Sequence, residues 1–304
     1  MATTTNITTT YSGEKLQGFI AAALLSPNTI EKGGVEVKSN IKFKQVIKKL
    51  ASSDDLVADG TCDFAATSTV TLTERYLEPK EFQVNLQLCK QDYRNDWDAL
   101  SMGISAHDSL PPSFADYLLG HVVAKVAEKL ENTIWNGADA NAGEFDGLVA
   151  LATADSDVVD VAGQAGGVTA ANVIAELGKV VDAISTEIYA KEDLLIYIAP
   201  DVARKYIRAQ AALGYKDLYH VGQTALDFEG KKLFVANGMP AGYMMAAQSS
   251  NLMFGTGLLS DKNEAKVIDM ADIDGSQNVR IVLRFTATVN YGIGSEIVLY
   301  TPTA

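Results

Sequence analysis

The stretch that most constrains the fold is residues 111–135, PPSFADYLLGHVVAKVAEKLENTIW. Two prolines stop whatever precedes it, and Ser113 is a residue type that commonly caps the start of a helix. The pair Asn136-Gly137 then supplies the left-handed conformation that ends many helices. The sequence therefore predicts one helix over residues 113–135, a rod of about 33 Å, which is long for a globular domain.

This helix is predicted to bury one face and leave the other in water. The buried positions recur at three- and four-residue spacings, and they are Phe114, Tyr117, Leu118, His121, Val122, Val126, Leu130, Thr133 and Ile134. The charged positions fall mostly on the other face, and they are Asp116, Lys125, Glu128, Lys129 and Glu131. His121 is interpreted as a packed side chain and not as a metal ligand.

The net charge of −13 restricts the partners of the chain. Wrapping nucleic acid needs a concentrated basic surface, so the charge argues against that function. Residues 1–50 differ from the rest, because they hold seven Lys and three Glu. This basic segment is either an arm that lies on the acidic body of a neighbouring copy or a solvated helix end and strand.

Motifs for catalysis are weak throughout the chain. The three histidines, His107, His121 and His220, are far apart and match no metal-ligand spacing. The segment Asp272-Ile-Asp274-Gly275 lacks the remaining ligands of a calcium loop and predicts a polar turn. No catalytic residue, metal or cofactor is therefore predicted. No apolar run approaches the roughly 18 residues that a membrane span requires.

Residues 49–80 are too poor in large apolar side chains to form a core of their own. Asp59-Gly60 is a hairpin turn signal, so these residues are predicted to form a two-stranded projection. An isolated hairpin is marginally stable in water, and this projection therefore needs a partner surface. That requirement is the first indication of assembly.

The rest of the chain divides into four parts. Residues 82–88 alternate apolar and polar side chains, as expected for a strand with one buried face. Residues 137–167 contain six acids and no Lys or Arg, and are predicted to be a loop and domain junction. Residues 168–260 alternate helix and strand patterns, which indicates an α/β domain. Residues 279–291 form a long alternating strand, predicted to lie along the long helix.

The order of these pieces carries a resemblance to a known family. They are a Thr-rich start, the segments TERYLEPKEFQVNLQL and EFDGLVA on either side of the long helix, the series LLIYIAPDVARKYIRAQ, EGKKLFVANGMPAGYMMAA and NLMFGTG, and the final VRIVLRFTATVNYGIGSEIVLY. In architecture and texture the chain resembles a tailed-phage major capsid protein of the Hong Kong 97 fold, an α+β fold.

The resemblance implies a division of the chain into an arm, a loop and two domains. The expected parts are an N-terminal arm at 1–48, an extended loop at 49–80, a peripheral domain at 81–154 with a spine helix at 113–135, an axial domain at 155–262, and the rest of the peripheral domain at 263–304.

The resemblance also implies a structural, non-enzymatic function. Identical chains are expected to form pentamers and hexamers of an icosahedral or prolate head, which encloses double-stranded DNA without reading its sequence. Portal, scaffold and decoration proteins are the implied partners, no membrane is involved, and the protein is expected in the virion after assembly in the host cytoplasm. An encapsulin-type compartment shell, which has the same fold, is the main alternative, and a soluble α/β enzyme is a distant one.

Subunit contacts are expected on the arm and the extended loop. The residues are Lys42, Lys44, Lys48, Lys49, Asp59, Gly60, Phe64, Val70, Leu72 and Arg75. Because the chain reaches its arm directly from Met1, a separate scaffold or none is expected. Some members of the family join a loop Lys to an Asn of a neighbour; Lys80 and Asn290 are the corresponding residue types here, but no bond between them is predicted.

Overall fold

The computed structural model describes residues 27–52, 70–89, 112–212, 226–257 and 266–303. Its helices are α1 (Asn28–Glu31), α2 (Pro112–Asn136), α3 (Leu148–Ala154), α4 (Val173–Asp182), α5 (Thr186–Tyr189), α6 (Pro200–Ala212) and α7 (Ala271–Asp274). Its strands are β1 (Glu36–Lys38), β2 (Gln45–Ser52), β3 (Val70–Leu77), β4 (Lys80–Cys89), β5 (Val159–Ala162), β6 (Leu194–Ile198), β7 (Asp227–Phe228), β8 (Lys231–Val235), β9 (Met244–Gln248), β10 (Leu252–Gly255), β11 (Lys266–Asp269), β12 (Asn278–Tyr291) and β13 (Val298–Thr301). The predicted α+β class is confirmed.

The long strand β12 organises a five-stranded sheet. It pairs antiparallel with β4 from Asn278↔Cys89 to Ala287↔Lys80, and its last residues pair antiparallel with β10. Strand β1 adds parallel to β10, and β11 pairs with the start of β12. Ile281 and Leu283 are buried while Arg280 and Arg284 are exposed or half-exposed, as the alternation in the sequence predicts.

The second sheet has six strands, in the order β5-β13-β9-β6-β8-β7. Its central strand β9 is buried at all five positions, which requires cover on both faces. Helix α4 supplies part of that cover, because it buries Val173, Leu177 and Val180 completely. This is the α/β region predicted from the alternation of helix and strand patterns.

The two sheets exchange strands across the predicted domain ranges. Strand β10, within the range 155–262, pairs with β12 in the five-stranded sheet. Strand β13, within the range 263–304, pairs with β5 and β9 in the six-stranded sheet. The domain ranges stay a prediction, but the exchange shows that both sheets contain a strand from residues 278–301.

The predicted spine helix is present as α2, which begins at Pro112 and ends at Asn136. Ser113 therefore lies inside the helix and not at its cap, since proline at the first helical position lacks only an N–H that has no partner there. Among the described side chains of the helix, the buried apolar ones are Leu119, Val122, Val123, Leu130, Ile134 and Trp135. No helix in the described ranges combines the length and apolarity needed to cross a membrane.

Two side chains of α2 lie on the opposite side from the one predicted. His121 is exposed, whereas Glu131 is only 6% exposed. Glu131 is buried because the arm turn, which we define as residues 27–34, packs against this part of the helix. The Thr29 hydroxyl donates to Glu131 Oε1 at 2.5 Å, and the Thr29 N–H donates to Oε2 at 3.1 Å.

The arm turn also contacts the six-stranded sheet. Asn28 Nδ2 donates to the carbonyl of Val235 at 2.6 Å, and the Tyr197 hydroxyl donates to the carbonyl of Gly34. A Cβ at position 34 would lie 2.9 Å from the ring of Phe234, so the close approach requires glycine. Helix, arm turn and sheet thus form one packed unit.

Candidate functional site

Strands β2 and β3 form a two-stranded antiparallel sheet of their own, here called the hairpin. The register runs from Gln45↔Leu77 to Ser52↔Val70. The predicted turn Asp59-Gly60 and the predicted contact Phe64 lie outside the described residues. The two-stranded projection itself was predicted from residues 49–80, and the described pairing extends it back to Gln45.

The outer face of the hairpin exposes apolar side chains. Val46 is paired with Tyr76 and the two are 42% and 46% exposed, while Leu72 is 54% exposed. Lys48 and Glu74 face each other between these apolar residues. The ammonium of Lys44 lies 3.6 Å from the centre of the Tyr76 ring, which places Lys44 at the same face. The outer face thus carries exposed apolar side chains on either side of a charged pair, and its contact with another surface stays a prediction.

The inner face holds the base of the hairpin against the body. Leu77 is fully buried, and a Cβ at Gly255 would lie 2.7 Å from its side chain. The Asn290 side-chain amide donates to the carbonyl of Tyr76 at 2.7 Å. The hairpin is thus anchored at its base, next to the end of β12.

The structure separates the predicted contact residues into groups. Lys42, Lys44, Lys48 and Leu72 are exposed, and Lys48 and Leu72 belong to the outer face. Lys49 and Arg75 are half-buried and belong to the inner face. Val70 pairs with Ser52, and its side chain is not among those described. Contact of these residues with a neighbouring subunit stays a prediction.

Sequence reasoning missed Val46 and Tyr76, and also Phe43, which precedes β2 and is 76% exposed. The available signal was weak, because residues 46–50, VIKKL, do not alternate between apolar and polar side chains. It could not be used without the register, because a shift of one residue moves every side chain to the other face.

The acidic junction is tied to three elements by ion pairs. Asp139 pairs with Lys80 of β4, Glu144 with Lys129 of α2, and Asp155 with Arg75 of β3. The segment was predicted as a loop, but it contains helix α3 and strand β5, so the prediction was wrong for those residues. It has no cations of its own, and three of its six acids pair with cations from outside the segment.

Glu144 has the most strongly altered acidity of the junction. Hydrogen bonds from Lys129, from Asn141 and from the N–H of Ala138 lower its pKa to about 2. The Asn141 and Ala138 donors lie 3.0 and 3.1 Å from Oε2. These donors favour the charged form, so the carboxylate stabilises the folded chain.

We expect Glu144→Gln to lower the free energy of unfolding by about 1 kcal/mol near pH 6. The amide accepts hydrogen bonds less strongly than the carboxylate, and the ion pair with Lys129 is lost. The folded pKa lies below the unfolded one, so the stabilisation is complete above the unfolded value of 4.5 and is lost as pH falls towards about 2. Urea unfolding at several pH values should therefore show the two chains converging in acid. Glu128→Gln, at the exposed pair with Lys125, is the control and should have a smaller effect.

A groove of about 620 Å³ separates α2 from β4. Its walls include Phe82, Val84, Val126 and Phe145, and the exposed His121 lies on its lining. Strand β4 lines most of the side opposite the helix, and β12 contributes Phe285. Helix α2 also contacts β12 directly, which agrees with the expected packing of the long strand along the long helix. Within the described residues, no group of three His, Cys, Asp or Glu side chains is placed to hold a metal ion.

No protein-family model matches the chain, and no curated protein matches it. Solved structures do match its fold. A capsid chain of a native GTA particle aligns with a TM-score of 0.61 at 15% identity, covering 93% of this chain and 90% of that one. A chain of the procapsid of satellite phage P4 aligns with a TM-score of 0.58 at 9% identity, covering 93% and 98%.

A virus-like particle from Pyrococcus furiosus is similar at a TM-score of 0.53 and 8% identity, covering 94% of this chain and 98% of that one. Identities this low establish a shared fold and nothing further. The chain therefore has the Hong Kong 97-type fold of tailed-phage major capsid proteins.

Proposed function

We propose that the chain is a major capsid protein, which assembles as pentamers and hexamers into the icosahedral or prolate head of a tailed phage. The head encloses double-stranded DNA, and portal, scaffold and decoration proteins join it in the virion after assembly in the host cytoplasm. The role is structural and not enzymatic. The observation that carries the proposal is the capsid fold over 93% of the chain.

The hairpin gives this proposal a physical basis. A two-stranded ribbon with exposed apolar side chains is marginal in water unless another surface covers it. Each copy of the chain carries the same outer face, so a shell of identical copies supplies the same covering surface to every one of them. Val46, Leu72 and Tyr76 are the side chains that such a contact would bury first.

The charge of the chain fits a container better than a nucleic-acid binder. At a net charge of −13, the wall repels phosphate and does not bind the genome that it surrounds. The cations of Arg75, Lys80 and Lys129 each pair with an acid of the junction. DNA is therefore enclosed without sequence-specific contacts.

A second candidate function is an encapsulin-type shell that encloses protein cargo. It is favoured by the likeness to the virus-like particle from Pyrococcus furiosus, which covers nearly all of both chains. Particles purified from the native source distinguish the two. Double-stranded DNA inside them supports the phage head, and an enzyme cargo without DNA supports the compartment.

We expect the expressed chain to form hollow particles in negative-stain electron micrographs, and the double variant Val46→Asp with Leu72→Asp to reduce their yield at least about tenfold. Burying two added carboxylates without partners costs several kcal/mol per contact. Far-UV circular dichroism of the variant should stay that of the parent chain, since both side chains are exposed. Ile174→Asp, at a 36% exposed position of α4, is the matched control.

Two results would count against the proposal at different levels. Particles at full yield from the double variant would show that the outer face of the hairpin is not part of the assembly contact. A parent chain that stays a compact monomer at every concentration, with or without a scaffold, would contradict the shell itself.

A further inference from the structure

Arg75 is the charged residue through which the hairpin contacts the body. It lies on the inner face of β3, two residues before the buried Leu77, and its guanidinium forms an ion pair with Asp155. Asp155 follows helix α3 within the acidic junction. Both side chains are partly withdrawn from water, at 30% and 17% exposure. A pair shielded in this way is stronger than one on an open surface.

Tyr291 completes the contact from a third element, the end of β12. Its hydroxyl donates to Asp155 Oδ2 at 2.8 Å, and the Arg75 guanidinium lies 4.5 Å from the centre of its ring. Asp155 Oδ1 accepts the N–H of Asp157 at 3.0 Å. The carboxylate thus has a partner on each oxygen. Burial alone would raise the pKa of Asp155, but these hydrogen bonds outweigh it and hold that pKa below its usual range.

The backbone leaves room for this arrangement at one glycine. A Cβ at Gly294 would lie 2.8 Å from Asp155 Oδ2 and 3.4 Å from the Arg75 guanidinium. Any larger residue would push the carboxylate away from its partners. The cluster is therefore built from β3, the junction, β12 and the short helical turn Gly294–Glu296.

Contacts between the hairpin and the body concentrate at its base. Leu77 is buried, and the carbonyl of Tyr76 accepts the Asn290 amide, so residues 76 and 77 fix a pivot point. A pivot alone does not set an angle. Arg75 is the next residue outward on the strand, and its pair with Asp155 holds the inner face down on the body.

We propose that the cluster of Arg75, Asp155 and Tyr291 is a latch that sets the angle at which the hairpin leaves the body. With the pair intact, the outer face of Val46, Leu72 and Tyr76 points in one direction. With the pair broken, the hairpin keeps its pivot and samples several directions. If the proposed shell function holds, release of this latch is a means of fitting one chain into non-equivalent positions.

The test is a distance within a single chain. Nitroxide labels are attached at Lys48→Cys on the hairpin and at Glu187→Cys on α5, with Cys62 and Cys89 replaced by Ser. Pulsed electron paramagnetic resonance then measures the distance between the two labels, which depends on the hairpin angle. Measurements are made below the concentration at which particles form. We expect a narrow distribution in the parent chain and one at least about twice as wide in Arg75→Gln, because the pair no longer restricts rotation.

Two further variants make the outcome decisive. The exchange Arg75→Asp with Asp155→Arg restores opposite charges and should narrow the distribution again. Lys44→Gln removes the exposed pair with Glu78, whose charged atoms are 3.8 Å apart, and should leave the width unchanged. An unchanged width in Arg75→Gln, or broadening in Lys44→Gln of the same size, would overturn the latch. The distance measurement needs no assembled particle. It can therefore contradict the latch without contradicting the proposed shell function, which is tested separately by particle formation.

Discussion

Thr29→Val is expected to lower the free energy of unfolding by about 3 kcal/mol, because two buried polar groups lose their partner at once. The hydroxyl of Thr29 donates to Glu131 Oε1 at 2.5 Å and accepts the indole N–H of Trp135 at 2.7 Å. Thr29 and Trp135 are fully buried, and Glu131 is 6% exposed. Valine has nearly the shape of threonine, so the loss reports the hydrogen bonds and not the packing. Urea unfolding followed by tryptophan fluorescence measures it.

Thr29→Ser is the matched control, since it keeps the hydroxyl and removes one methyl group, at a cost of about 1 kcal/mol. Adding Glu131→Leu to Thr29→Val should recover part of the loss, because it removes the buried carboxylate that was left short of a donor. Equal unfolding midpoints for Thr29→Val and Thr29→Ser would show that water replaces the hydroxyl in the neighbouring polar pocket, which Asn28, Asn132 and Asn237 help to line.

This network changes the interpretation of the predicted arm. The range 1–48 was predicted to be an N-terminal arm, yet Thr29, Ile30, Val35 and Ile41 are all buried. Residues 1–26 of this range lie outside the described residues. Within the described part, the arm turn and β1 belong to the body.

Local periodicity was enough to predict the elements with a strong pattern. The spacing of apolar residues gave α2 to within one residue at each end, and the alternation of Val279, Ile281 and Leu283 gave the long strand β12. These patterns reflect burial against whatever lies next to the element, so they need no knowledge of the partner.

Burial that depends on a distant segment could not be predicted in this way. Glu131 looks like a surface residue until a turn about a hundred residues earlier in the chain is placed against it. The ion pairs of the junction and the two faces of the hairpin could not be predicted for the same reason. Arg75 and Leu72 both appeared to be contact residues, but the register places them on opposite faces. Cross-strand register and long-range pairing are set by tertiary packing and not by the local sequence.

Gly238→Ala is the second change with a large expected effect, a loss of about 3 kcal/mol or more. Gly238 lies in the loop between β8 and β9, where it meets the backbone of α2. An added Cβ would overlap the carbonyl of Glu131 and would lie 2.9 Å from the Cα of Asn132. Backbone atoms of a helix cannot turn aside as a side chain can, so the helix and the six-stranded sheet would have to separate.

The same substitution at two other glycines should have the opposite sign. Gly120 in α2 and Gly178 in α4 have no atom within 4 Å of an added Cβ, and neither has a positive φ. Alanine there should raise the free energy of unfolding by about 0.5–1 kcal/mol, because glycine loses more conformational freedom on entering a helix. Thermal unfolding of the three variants compares them directly. If Gly238→Ala is as stable as Gly178→Ala, then α2 and the six-stranded sheet are not in rigid contact, and the spine could move relative to that sheet during assembly.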